Sequence, residues 1–294
     1  MKDLYLMLCI SRQAHFKAVK HETSIRQKEP FYLGLMYDIR DMHPGMGLRK
    51  MYEQFEPEGI GRDSWINLGL REGFRLHPTK SPQKTTYAVK SMKYSNLLEN
   101  REFTDVNQVW VSDIFYFALG TKNYYGILIM DVYSRKIIGY SIADNMRAEN
   151  NVKALTMAIE HRGIADYCGN LIHHSDRGSQ YMSDIYTEIL GDYNIQISVC
   201  FDVLENAHCE RVNGTIKNEY LNKWTINTFN QLQIYMEKAV SGYNNRKHNS
   251  IGMSPVQYET ALTEKPIEKR KKMSIFTINK RENNPYQLEL DFGV

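Results

Sequence analysis

The chain of 294 residues contains no run of eighteen consecutive apolar residues, so its length and texture leave no room for a membrane-spanning helix. Cysteine is scarce. The four present, Cys9, Cys168, Cys200 and Cys209, form no CxxC pair and no zinc spacing, and no His-His-Cys-Cys arrangement exists. This argues against a disulfide framework or a zinc domain and predicts a reduced, cytoplasmic protein. The opening MKDLYLMLCISRQAHF is interrupted by Lys2, Asp3 and Arg12 and lacks a small-residue cleavage site, so no signal peptide is expected. Net charge is also small, at +3. Its distribution is uneven: residues 1–100 carry +5, residues 101–220 carry −6 and residues 221–294 carry +4. An acidic middle between basic flanks suits an enzyme that gathers cations centrally and holds a polyanion with its ends. With 42% apolar and 24% charged residues, a folded globular chain of one large or two ordinary domains is expected.

Residues 1–75 read as helical. FYLGLMYDIRDM (31–42), GLRKMYEQFE (47–56) and RDSWINLGLREG (62–73) space their apolar residues by three and four, and PEGIG (57–61) breaks the last two apart. That is a helix-turn-helix pattern, and Arg62, Arg71 and Arg75 favour a DNA-binding use of it. Such helix pairs also occur in proteins that never meet DNA. Residues 76–107 are polar, lysine-bearing and aperiodic, and read as a basic linker.

The texture then changes. VWVSDIFYFAL (109–119), YYGILIMDV (124–132) and KIIGYSI (136–142) are β-rich runs with connections so short that they must form an antiparallel meander. RAENNVKALTMAIEHRG (147–163) carries a helical stripe ended by Gly163. NLIHH (170–174) is a short fourth strand, and the long crossover to it suits parallel pairing beside the first. A helix near 180–190, a strand IQISVC (195–200) and a long helix from about 205 complete the series. The order β-β-β-α-β-α-β-α predicts an α/β ribonuclease H-like core, a mixed five-stranded sheet with helices on both faces, over 108–262. A basic tail follows over 263–294.

Asp113 shares a strand face with Val111, Phe115 and Phe117, because side chains alternate with period two. A charge in that company needs a strong partner. If the fourth strand pairs beside the first, Asp176, just beyond LIHHS, approaches Asp113. In ENAHCERVNGTIKNEYL (205–221), Cys209, Val212, Ile216 and Tyr220 form a core stripe. Glu210 and Lys217 share another face with Gly214 and Asn206, while Glu219 points to solvent. Three gathered carboxylates repel one another by roughly 4 kcal/mol per pair at 4 Å, and all-oxygen ligation to Mg²⁺ or Mn²⁺ relieves that cost. Two such ions can activate one oxygen and stabilise another in phosphodiester chemistry.

With those residues placed, WVSDIFYF, MDVYSRKIIGYSI, HHSDRGSQY, ENAHCERVNGTIKNEYL and YNNRKHNSIGMSPVQY (243–258) together resemble the DDE transposases of bacterial insertion sequences, OrfB type, in the retroviral integrase superfamily. HPGMGLRKMYEQF and LREGF are similar to the helix-turn-helix segment that precedes the core there. The resemblance implies that Asp113, Asp176 and Glu210 are catalytic and metal-binding, with two Mg²⁺ or Mn²⁺ ions. It implies that Lys217 contacts DNA, and that Asn206, Arg177, His174 and Arg246 belong to the same DNA-binding set. For His174 and Arg177, positioning of Asp176 or a local structural bond is the alternative reading. The expected partners are terminal inverted repeats, target DNA, further copies of the chain on DNA, and the product of an upstream reading frame. The expected place is the nucleoid within the cytoplasm. Asp131, in MDVYSR, stands where the family often has Asp without using it as a ligand.

There are departures. Only 33 residues separate Asp176 from Glu210, slightly fewer than is usual in the family, Glu205 replaces a frequent Asp, and Phe115 a frequent Thr. The tail run EKRKKMSIFTINKR (268–281) reads as either a DNA-binding arm or a solvated tail. Two other functions fit the same fold: a catalytically inactive DNA-binding relic or regulator, and a nuclease that never joins strands.

Overall fold

The structure is a computed structural model that describes residues 11–76, 94–164, 169–200 and 206–274. The chain divides into two compact units, Met1–Ser81 with Asn218–Trp224, and Pro82–Lys217 with Thr225–Val294.

The first unit is built on three helices, α1 (Arg12–Met42), α2 (Leu48–Phe55) and α3 (Arg62–Arg71). Ser11 caps α1 by accepting the Ala14 amide at 3.0 Å. The helix begins at Arg12 rather than near 31 and runs through Pro30. Only its second half is amphipathic: Tyr32, Met36 and Ile39 are fully buried, at helical spacing. They meet Leu48 and Met51 of α2 and Trp65 and Leu68 of α3 in one apolar core. Each such side chain contributes about 1.5–3 kcal/mol by leaving water. Trp65 donates its indole N–H to the Leu48 carbonyl at 3.2 Å, which satisfies its one polar group. The PEGIG turn passes through Gly59 at φ +80°, a left-handed conformation natural to glycine.

The second unit holds a two-stranded ribbon, β1 (Glu102–Phe103) against β7 (Met273–Ser274), and a five-stranded sheet. The sheet strands are β2 (Val109–Leu119), β3 (Lys122–Asp131), β4 (Ile137–Ala143), β5 (Ile172–Ser175) and β6 (Gln196–Val199). Their spatial order is β4-β3-β2-β5-β6, with β2 antiparallel to β3, β3 to β4, and β5 parallel to both β2 and β6. That is the ribonuclease H-like arrangement expected from the element order. One face carries Trp110, Ile127, Ile129 and Ile138 under α4 (Ala148–Arg162) and α5 (Asp184–Asp192). Gly139 of β4 allows this approach, because a β-carbon there would overlap the Ala154 carbonyl and crowd Ala158. The other face is covered by α6 (Ala207–Thr215) on β2 and β3, and by α7 (Phe229–Asn245) on β4.

The expected long helix from about 205 is interrupted. After α6 comes a π-turn, Ile216–Tyr220, and a 3₁₀ turn, Leu221–Lys223, before α7 starts. Helix α8 (Pro255–Thr263) opens with a capping box between Ser254 and Gln257. Beyond it the basic run is docked as far as Ser274. Arg270 pairs with Asp105, Lys272 with Glu102 at 2.9 Å, and Met273–Ser274 form the ribbon with β1. Residues 275–294, 77–93 of the expected linker, and Cys168 and Glu205 lie outside the described residues. Among the described residues no helix is long and apolar enough to cross a membrane.

Candidate active site

Strand register brings the first two carboxylates together. In the parallel β2–β5 pair, Ser112 lies opposite Ser175, so Asp113, the next residue of β2, neighbours Asp176, the first residue beyond β5. Asp113 is half-buried on the face covered by α6. Its Oδ1 accepts the Ile114 amide at 2.8 Å and its Oδ2 accepts the Asn213 side-chain amide at 2.9 Å. Burial, then the charges of Asp176 and Glu210, push its pKa up to about 7, against the hydrogen bonds that pull it down. The three carboxylates therefore share one electrostatic field, and the repulsion is expressed on Asp113, the most enclosed of them.

Asp176 is solvent-exposed at the strand exit, yet protein crowds it enough to raise its pKa, opposed by the Gly178 amide at 3.0 Å and by the charge of Arg177. Gly178 lies so close that a β-carbon would meet Asp176 Oδ1 at 3.0 Å. The tyrosine ending HHSDRGSQY pins this loop: Tyr181 is 1% exposed and its hydroxyl meets Ser112 Oγ at 2.8 Å. Below it, His173 shares a hydrogen bond with Tyr186 at 3.0 Å, and burial holds the imidazole pKa down near 3, hence neutral.

Glu210 is exposed on the first turn of α6, while Cys209 beside it is fully buried. Cys209, Val212, Ile216 and Tyr220 are all buried, as the stripe predicted. Lys217 is half-buried in the π-turn, where desolvation lowers its pKa; π-turns of this kind recur at functional sites. A β-carbon on Gly214 would meet open space. Glu219 departs from the expectation of a solvated charge: it is half-buried and lies 3.9 Å from Lys50 in the first unit.

Four of the expected DNA contacts are placed as follows. Arg177 is half-exposed beside Asp176. His174 is 0% exposed and bonded through Nδ1 to Ser198 Oγ at 2.9 Å, so a direct phosphate contact is corrected to a structural bond. Asn206 is buried and donates to the Ser112 carbonyl at 3.3 Å, tying the start of α6 to β2 rather than meeting DNA. Arg246 is also buried, with its guanidinium 5.6 Å from the Tyr243 ring centroid, and it too is removed from the surface set. His174, Asn206 and Arg246 are thus enclosed by protein, whereas Arg177 keeps access to solvent.

Asp131 is fully enclosed, accepts the amides of Asn107, Tyr133 and Ser134, and lies 3.4 Å from the Arg162 guanidinium. Arg162 also pairs with Glu259, which reaches Lys136 at 3.0 Å. This network faces α4, on the opposite side of the sheet from Asp113.

The residue that sequence reasoning missed is Asn213. It lies one helical turn after Glu210 and grips Asp113 across the α6–β2 contact. The available signal was an amide three residues from a candidate ligand on a buried helix face.

The donor set of Asp113, Asp176 and Glu210 is all hard oxygen, which suits Mg²⁺ or Mn²⁺. A carboxylic acid raised to about 7 by burial, and further by like charges, is also what a divalent cation relieves. Among the described residues, no three His, Cys, Asp or Glu side chains form a ready-made metal cage.

Two integrase core domain models match the chain, over residues 104–201 and 192–255. The 31 kDa protein of insertion element IS600 from Shigella sonnei is 30% identical over 85% of this chain and 94% of its own length. A putative transposase for insertion element IS986/IS6110 of Mycobacterium tuberculosis is 28% identical over 73% of this chain and 81% of its own. The transposase InsF for IS3A of Escherichia coli K12 is 30% identical over 51% of this chain and 52% of its own. Among solved structures, the HTLV-2 integrase catalytic core in complex with magnesium covers 56% of this chain at 23% identity and a TM-score of 0.44. The chain belongs to the integrase-core transposases of insertion sequences, which are polynucleotidyl transferases.

Proposed function

We propose that this transposase cleaves the ends of its insertion sequence and joins the freed 3′-hydroxyls to target DNA, using Asp113, Asp176 and Glu210 as ligands for two divalent ions. The observation that carries the reading is that strand register sets Asp113 beside Asp176 and that both Asp176 and Glu210 act on Asp113 as like charges, adding to the burial that raises its pKa. When bound, Mg²⁺ or Mn²⁺ supplies Lewis-acid stabilisation of the attacking and leaving oxygens.

The chain's own residues set the conditions for that chemistry. Asp113 must be ionised to act as a ligand, and the Asn213 amide donates to the charged form and fixes its orientation. The Gly178 amide does the same for Asp176. Lys217, two turns beyond Glu210, meets the phosphate backbone as a point charge. Helix α3, with Arg62, Arg71 and Asn67 on its exposed face, enters the DNA groove as the recognition helix. Several copies of the chain assemble on the paired ends.

The test is a labelled element end incubated with the purified chain and Mg²⁺. Nicked product followed by joined product, both abolished in Asp113→Asn and Glu210→Gln with DNA binding retained, is the expected result. Nicking without joining identifies a nuclease. Binding with no product in the wild type identifies a regulator or relic.

A further inference from the structure

The first unit contains a groove that this chemistry leaves unused. It is a shallow, open groove between the end of α1, the residues after α3 and the Leu221–Lys223 turn, with a volume of about 500 Å³. Three rings line it, Tyr37, Phe74 and Trp224, together with three cations, Arg40, Arg75 and Lys223. Tyr37 is 62% exposed, and its ring stands 4.9 Å from Phe74 at a tilt of 57°, so one aromatic face is left to solvent.

Arg40 is fixed rather than mobile. Its two terminal nitrogens donate to the Pro44 and Phe74 carbonyls at 2.8 and 3.0 Å, and its guanidinium carbon lies 5.6 Å from the Phe74 ring centroid. Desolvation lowers its pKa, and among the described residues no carboxylate forms an ion pair with it. Asp41 and Glu72 also line the groove, but Glu72 is taken by Arg71 at 3.1 Å. The lining thus combines flat apolar surface with a net positive field.

A ligand that satisfies both features carries an unstacked planar ring and a phosphate. Duplex DNA offers the phosphate but keeps its base faces stacked; an unpaired nucleotide offers both. We propose that this groove takes a single unpaired nucleotide of the DNA, with its base on Tyr37 and its phosphate facing the three cations. The proposal rests on the reading of the chain as an enzyme of DNA ends and adds an unpaired flank to what it recognises there.

The experiment compares, by fluorescence anisotropy, the affinity of the full chain for an element end with a three-nucleotide overhang and for the blunt duplex. Wild type is expected to prefer the overhang. Tyr37→Ala with Lys223→Ala is expected to lose about tenfold more affinity for the overhang than for the blunt end, and Tyr37→Trp is expected to keep the preference. Thermal melts of each variant separate this loss from misfolding. No overhang preference in a wild type that cleaves and joins overturns the groove proposal alone, which is also the outcome if the groove takes an acidic peptide. An equal loss on both DNAs overturns it as well. A wild type that binds neither DNA overturns both readings.

Discussion

Asp113 is held in conflict. Its neighbours on β2 are apolar, its nearest charges are negative, and two hydrogen bonds oppose a proton that the surroundings favour. Because its folded pKa, about 7, lies above the ordinary carboxyl value of 3.8, the folded state binds the proton more tightly than the unfolded state does. Its contribution to stability is therefore intact below about pH 4 and is lost as pH rises through 7. Asp113→Asn removes that loss. In metal-free buffer the variant is expected to gain about 2–4 kcal/mol over wild type between pH 4 and pH 7, with no further gain above it; urea unfolding at several pH values measures this. Added Mg²⁺ should shrink the gap, and at limiting Mg²⁺ catalysis should fall as pH drops below 7, because protons compete for the ligand, with the fall moving to lower pH as Mg²⁺ is raised. Asn213 is expected to act through Asp113: Asn213→Leu should cost 10–100-fold in metal affinity, read by isothermal titration, while the melting temperature stays near wild type. The faces on which Asp113 and Glu210 lie were legible in the sequence because strand alternation and helical angle assign faces. The Asn213 contact was not, since it joins residues a hundred positions apart. His174, Asn206 and Arg246 misled because proximity in sequence to a ligand or a basic motif does not reveal burial.

At the scale of elements, the strands were readable because their side chains carry a two-residue period and their connections are short. Strand β2 covers the run expected for it. The first half of α1 fell within the helical reading of residues 1–75, but its start did not show: it is exposed where described, so no apolar stripe marks it and only the Ser11 cap signals where it begins. The end of α6 was hidden for another reason, as the residues of the π-turn continue a helical apolar pattern through Ile216 and Tyr220. Two contacts between elements give sharp expectations. Gly139→Ala would drive a methyl group into the Ala154 carbonyl; α4 must shift, and a loss of about 3 kcal/mol or more by chemical denaturation is expected, at the upper end of overpacking costs. Arg162→Met leaves Asp131 and Glu259 facing each other without the guanidinium between them. Breaking such a buried network costs about 3–5 kcal/mol, seen as a fall of roughly 10 °C in melting temperature.

For the molecule as a whole, the consequential feature is that the first unit is not continuous in sequence. The chain leaves the catalytic unit after Lys217, contributes Asn218–Trp224 to the helical unit, and returns at Thr225. Within that unit Tyr220 is fully buried and shares a hydrogen bond with His43 Nδ1 at 3.0 Å. Gly45 lies so close that a β-carbon would overlap the Glu219 backbone. Reading the sequence as helices, then linker, then core treats the helices as separable, because nothing in the spacing of 218–224 marks it as belonging elsewhere. Asn218–Trp224 groups with the helical unit. A chain truncated to 82–294 uncovers Tyr220 and Leu221, both 0% exposed in the intact protein, on a segment that starts right after Lys217. Its expected behaviour is aggregation and loss of strand cleavage, even though Asp113, Asp176 and Glu210 are all retained. Replacing Tyr220 and Leu221 by polar residues in the truncated chain should restore solubility, measured by light scattering. A truncated wild-type sequence that stays monomeric and melts as the intact protein does would show that the helices are a removable attachment.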